Sequence, residues 1–173
     1  MSPDLGNVYL VGFMGCGKTT VGTSVAEALG WKFEDTDRTV EASEGRTVAR
    51  LIEDAGEPRF RELERRVLHE LSRRSGMVVA TGGGLFLDRG ARRRMLDTGA
   101  TVWLDADLEI LRCRVGAGSE RPVWNRHDAI ELRALYERRR AIYALAHLRV
   151  DATEGGPGDV SARIVERLES VFR

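Results

Sequence analysis

Gly12-Phe13-Met14-Gly15-Cys16-Gly17-Lys18-Thr19 has the spacing GxxxxGK[ST], in which glycines let successive backbone N–H groups turn inward around phosphate oxygens. In that pattern the Lys18 ammonium neutralises β/γ-phosphate charge and the Thr19 hydroxyl can ligate Mg²⁺. The apolar run Val8-Tyr9-Leu10-Val11 before it reads as a strand. Val21, Val25, Ala28 and Leu29 after it recur at helical spacing, so the loop opens onto a helix N-terminus, where anions are favoured. Of 27 basic residues only Lys18 and Lys32 are lysines, so an arginine-rich chain places its compact ammonium where a phosphate point charge is needed. The competing reading is a glycine-rich turn that binds nothing. Cys16 is either a small loop filler or, beside backbone amides and Lys18, an oxidisable thiol.

A phosphate loop grips a nucleotide but names no acceptor, so the other polar groups reaching the same sheet edge matter. Asp35-Thr36-Asp37 ends the next strand with carboxylates at i and i+2. One could hold a hydrated metal while the other orients an acceptor hydroxyl; alternatively Asp37 only caps the short helix that follows. Thr81-Gly82-Gly83-Gly84 ends the third strand, where many phosphate-loop proteins carry a magnesium-holding Asp, so Asp35 becomes the metal-side candidate. Three glycines can admit a ligand close to backbone, or simply make a tight turn. Arg61 lies beside the stripe Phe60, Leu63, Val67 and Leu71 and three residues before Glu64, which also suits a surface ion pair.

Arg139 falls in the middle of the inward stripe Leu132, Leu135, Ile142, Tyr143 and Ala146. An inward guanidinium requires an anion, supplied either by an internal Asp or Glu or by an anionic substrate. Between those helices, Gly116-Ala117-Gly118-Ser119-Glu120-Arg121-Pro122-Val123-Trp124 predicts a movable connection whose Arg121 could close over transferring phosphate, or an ordinary surface crossing.

The elements that must position these groups follow from alternating short apolar runs and amphipathic helices, the pattern of a parallel sheet covered on both faces. Strands are predicted over Val8–Val11, Lys32–Asp35, Met77–Thr81, Thr101–Leu104 and Leu148–Asp151. Helices are predicted over Lys18–Leu29, Thr39–Ser43, Val48–Ala55, Arg59–Arg74, Arg89–Asp97, Leu108–Val115, Ala129–Ala146 and Val160–Phe172. At 173 residues the chain is long enough for a full core in one domain, and 27 acidic residues balance the 27 basic ones. That balance argues against a nucleic-acid binder. Two cysteines without metal-ligand spacing, and no signal peptide or long apolar segment, fit a reduced cytoplasmic enzyme.

Taken together, the phosphate loop, Asp35-Thr36-Asp37, Gly56-Glu57-Pro58-Arg59-Phe60-Arg61 with Glu64, Thr81-Gly82-Gly83-Gly84, Arg121-Pro122, and Leu135, Arg139 and Tyr143 at four-residue steps resemble the shikimate kinase family over nearly the whole chain. The resemblance implies a nucleoside-monophosphate-kinase type α/β fold: a five-stranded parallel sheet ordered 2-3-1-4-5, a substrate-binding region over about 36–74 and a lid over about 116–128. It implies transfer of the ATP γ-phosphate to the 3-hydroxyl of shikimate by a cytoplasmic monomer using Mg²⁺, with no nucleic-acid or membrane partner. Asp37, Arg61, Arg139 and the backbone of Gly82, Gly83 and Gly84 would hold shikimate, and Glu64 would orient Arg61. Asp37, Lys18 and Arg121 would be catalytic, and Thr19 with Asp35 would hold the metal. Gly15, Cys16, Gly17, Lys18, Thr19, Thr20, Arg114, Arg121 and Pro157 would contact the nucleotide, with adenine between the Arg114 region and the loop near Pro157. The chain departs from the family after Tyr143, where Ala144-Leu145-Ala146-His147 is short and lacks an acid, and in Glu154-Gly155-Gly156-Pro157, which lacks an arginine. The rival readings are a gluconate- or nucleotide-kinase-like enzyme and a catalytically silent ATP-binding relative.

Overall fold

The computed structural model describes residues 6–115 and 128–172. Five strands, β1 Asn7–Val11, β2 Lys32–Asp35, β3 Met77–Ala80, β4 Gly99–Asp105 and β5 Leu148–Asp151, form one parallel sheet in the order β2-β3-β1-β4-β5. Register places Leu10 between Ala80 of β3 and Val102 of β4, so β1 is central and its C-terminal end delivers the phosphate loop to the middle of the sheet edge. Every residue of β1 is buried, which is why Val8–Val11 reads as an unbroken apolar run: helices cover both faces. At the edge strand β5 the alternation returns, with Leu148 and Val150 inward and Arg149 and Asp151 exposed.

The helices of the described residues are α1 Lys18–Leu29, α2 Thr36–Glu44, α3 Val48–Ala55, α4 Glu57–Leu71, α5 Arg89–Thr98, α6 Leu108–Val115, α7 Ala129–Tyr143 and α8 Pro157–Val171. Helix α1 packs on α8 and the central strands; α4 and α5 pack on each other. A second, smaller core of Val40, Leu51, Phe60 and Leu63 ties α2, α3 and α4 together, giving the region beyond β2 its own packing. Among the described residues no helix is long and apolar enough to cross a membrane.

The sheet order and strand positions agree with the sequence reading; several helix ends do not. Helix α2 begins at Thr36 rather than Thr39 because the cap is Asp35, whose Oδ1 accepts from the backbone of Asp37 at 3.0 Å and Arg38 at 3.3 Å. Helix α4 starts two residues early, with Pro58 in its first turn, where a missing N–H costs nothing, and it stops at Leu71 rather than Arg74. Asp128 begins α7 with a reciprocal capping box to Glu131. That helix ends at Tyr143, not Ala146, since residues 144–147 turn immediately into β5. Helix α8 starts at Pro157 instead of Val160, where the Asp159 carboxylate accepts from the Gly156 N–H at 2.8 Å.

Candidate active site

The phosphate loop joins β1 to α1. Gly15 and Gly17 hold φ values of 87° and 93°, in the region that side-chain-bearing residues avoid. Gly17 is also the N-cap of α1 and supplies no capping side chain, so the first-turn N–H groups stay free for an anion. Lys18 Nζ donates to the loop carbonyls of Gly12 at 2.8 Å and Phe13 at 3.1 Å, which holds the ammonium over the cradle. The same ammonium donates to Cys16 Sγ at 3.7 Å, while the Cys16 residue is buried in the core beneath the loop and does not line the cleft. Burial suits the filler role and the Lys18 contact suits a polarised thiol, so both readings of Cys16 have a structural counterpart.

Two strands end beside this cradle. From β2 comes Asp35, which divides its two oxygens: Oδ1 caps α2, and Oδ2 accepts from the Thr19 hydroxyl at 2.8 Å. Capping, considered for Asp37, therefore belongs to Asp35, and the next turn of helix lifts Asp37 toward the cleft. Thr36 between them is buried, and its hydroxyl accepts from the Gly82 N–H at 2.9 Å, locking the β2 end to the β3 end. On the β3 side, a Cβ at Gly82 would lie 2.2 Å from Glu64 Oε1 and 2.6 Å from Asp37 Oδ1. A Cβ at Gly84 would lie 2.6 Å from the Arg61 guanidinium. Three charged side chains thus crowd onto bare backbone, which explains the glycines by close approach rather than by turn geometry.

The electrostatics of this cluster are strained in a particular direction. Burial, with the Asp35 charge, raises the Asp37 carboxyl pKa, while Lys18 and Arg61 pull it back. Glu64 is fully buried and pushed up to about 7, chiefly by desolvation and further by Asp37, against the pull of Arg61. Burial opposes the charge on Arg61, but Glu64 and Glu57 outweigh it and hold its pKa above the ordinary value. Arg61 is accordingly no simple surface pair: it bridges Glu57, whose Oε1 accepts from Nη2 at 2.9 Å, and the buried Glu64. Among the described residues, Arg139 makes no ion pair with a carboxylate; its guanidinium instead lies 5.4 Å from the centre of the Phe13 ring in the phosphate loop.

Three buried side-chain polar atoms among the described residues lack a hydrogen-bond partner: Asp37 Oδ1, Glu64 Oε1 and Arg139 Nε. All three residues line one open cleft of about 640 Å³ that runs from Gly15, Gly17, Lys18, Thr19, Thr20 and Arg114 past Asp35 and Asp37 to Arg61, Arg139 and the Gly82–Gly84 loop. Orphaned polar atoms are rare in folded proteins, and their convergence on a phosphate loop fits a small ligand carrying both hydroxyl and anionic groups. Arg114 also donates to the Thr153 carbonyl at 3.1 Å, tying α6 to the connection before α8. Pro157, expected near adenine, starts α8 and does not line the cleft. Arg121 and the expected lid lie outside the described residues except for Asp128.

The sequence reading assigned no role to Thr36, Glu57 or Phe13. Glu57 and Phe13 stood inside recognised motifs, and Thr36 between two acids, so their positions were visible although their partners were not.

A phosphate loop at the centre of a 2-3-1-4-5 parallel sheet, opening on a cleft lined by acids and guanidinium groups, defines a small-molecule phosphotransferase of the nucleoside-monophosphate-kinase type. The family model described as shikimate kinase matches residues 14–169. This chain belongs to the shikimate kinase family, and is an ATP-dependent kinase. It is 38% identical to a shikimate kinase of Persephonella marina over 162 residues, covering 94% of this chain and 98% of the relative. Among solved structures, shikimate kinase from Acinetobacter baumannii in complex with shikimate matches with a TM-score of 0.90 at 35% identity, covering 97% of this chain and 95% of that one. The shikimate kinase of Aquifex aeolicus matches with a TM-score of 0.86 at 37% identity, covering 95% and 96%.

Proposed function

We propose that this chain transfers the γ-phosphoryl group of ATP to the 3-hydroxyl of shikimate, releasing ADP and shikimate 3-phosphate. In that step the bond from Pγ to the β,γ-bridging oxygen breaks, a bond from the shikimate oxygen to Pγ forms, and the hydroxyl proton leaves toward Asp37. The observation that carries the reading is the convergence on one cleft of the phosphate loop, the coupled acids Asp37 and Glu64, and Arg139, a guanidinium with no carboxylate partner among the described residues. A polyhydroxylated carboxylic acid supplies a carboxylate for the guanidinium and hydroxyl groups for the acids.

The side chains take their roles from chemistry. The Asp37 carboxylate accepts the hydrogen bond of the acceptor hydroxyl, and its raised pKa makes it a better proton acceptor than an exposed carboxylate. Arg139 and Arg61 hold the substrate carboxylate and ring hydroxyls together with the Gly82–Gly84 backbone; Glu64 orients Arg61. Lys18 offsets charge on the transferring phosphoryl group, with Arg121 approaching from the lid, and Arg114 borders the adenine. Thr19 and Asp35 suit Mg²⁺, since their oxygens stand 2.8 Å apart beside the cradle and are hard donors. Bound there, the ion would neutralise phosphate charge.

Under this reading the chain is one kinase domain, with about residues 36–74 as the acceptor side and about 116–128 as the lid. It works as a cytoplasmic monomer on small molecules, without a nucleic-acid or membrane partner. An ADP-release assay with shikimate, gluconate and nucleoside monophosphates as separate acceptors tests it. Turnover with shikimate is expected; turnover with a nucleotide alone, or binding of ATP and shikimate without turnover, overturns the assignment.

A further inference from the structure

We infer that Tyr143 is a positioning residue of the acceptor site: its hydroxyl fastens the Gly82–Gly84 loop in register with Arg139, so that backbone and guanidinium reach one ligand together. The inference rests on the acceptor reading above.

Tyr143 is the last residue of α7 and is 1% exposed. One turn separates it from Arg139, so the two side chains share a helix face. Its hydroxyl donates to the Gly83 carbonyl, a hydrogen bond spanning 60 residues of sequence. The Cβ position at Gly83 lies 3.7 Å from Arg139 Nη1, 3.8 Å from the Tyr143 hydroxyl and 3.7 Å from the Gly12 carbonyl, the same carbonyl that receives Lys18. Gly83 therefore sits in a corner walled by the acceptor-side guanidinium, the phenol and the nucleotide cradle.

The ring itself is held by packing alone. Phe86 stacks against it with centroids 6.5 Å apart, and Trp103 lies at 6.3 Å. A phenylalanine would satisfy that packing, and a buried hydroxyl is costly unless it has a partner. The hydroxyl's partner is a carbonyl in a run of three glycines, the segment least able to hold its own conformation. Burial keeps the phenol protonated, with its pKa raised well above the ordinary value, so it remains a donor while the Arg139 charge faces its oxygen. Without the hydroxyl, the Gly83 carbonyl loses its tether and Arg139 loses the neighbour that sets its distance from the loop.

The test compares wild type, Y143F, R139K and the double variant in one assay, reading shikimate KM, ATP KM, kcat and Tm. Y143F is expected to raise shikimate KM by about tenfold, the loss of one buried hydrogen bond, with ATP KM unchanged. The double variant should raise shikimate KM by less than the product of the single effects, because both act on one grip. A purely structural hydroxyl would lower Tm and leave shikimate KM alone, or move both KM values together; either result overturns the inference. Failure of Y143F to fold also counts against it. Absence of shikimate turnover in the wild type overturns the acceptor reading and the inference with it, whereas an active wild type with an indifferent Y143F removes the inference only.

Discussion

Glu64→Gln isolates the most displaced acid of the site. Glu64 is fully buried, and its pKa rises from 4.5 to about 7 because desolvation and the Asp37 charge outweigh the Arg61 guanidinium. That gap corresponds to about 3 kcal/mol between the two protonation states. The folded value is the raised one, so between those pH values the native protein holds a proton that the unfolded chain has released. Stability from this group is therefore complete below pH 4.5 and falls by about 1.4 kcal/mol per pH unit until about pH 7. Glutamine keeps an oxygen for Arg61 but cannot titrate. Urea unfolding of wild type and E64Q between about pH 4.5 and pH 8 should show E64Q gaining about 3 kcal/mol relative to wild type as pH rises. Parallel curves would refute the reasoning, since they would mean that Glu64 stays ionised against Arg61 throughout.

Asp37→Asn should lower kcat by about 10²- to 10⁴-fold, the usual range for a lost acid–base group, without lowering Tm, because it removes a carboxylate with a buried orphan oxygen; near-normal turnover would exclude the proposed role. Arg139→Lys should raise shikimate KM about 10- to 100-fold, as an ammonium cannot make a planar two-point grip, while ATP KM stays constant. Equal kinetics for both substrates would return Arg139 to a structural role. Gly82→Ala places a methyl 2.2 Å from Glu64 Oε1 and 2.6 Å from Asp37 Oδ1, so both acids must shift. Circular dichroism should report a folded protein with turnover strongly reduced, and unimpaired kinetics would show that the acids need not converge on that backbone.

The strand–loop–helix around Lys18 was legible in the sequence because its chemistry is local: spacing alone puts the glycines at the turn and the lysine at the start of α1. The strands of a parallel sheet were legible as short apolar runs, whereas their 2-3-1-4-5 order was implied by the family resemblance and not by any local pattern. The inward direction of Arg139 was also readable, since helical period determines which face a residue occupies. What it meets there was not. A spacing rule cannot say whether Asp35 or Asp37 caps α2, because both stand within reach and only the actual bend of the chain selects one.

Tertiary structure alone decided that Glu64, Asp37 and Gly82 share one point, that Arg61 is divided between Glu57 and Glu64, and that Tyr143 reaches Gly83. These contacts join α2, α4, α7 and the end of β3, segments separated by tens of residues. Periodicity and propensity describe neighbours along the chain. Which distant groups come together, and which of their atoms are left without a partner, is settled only when the sheet and its covering helices are packed.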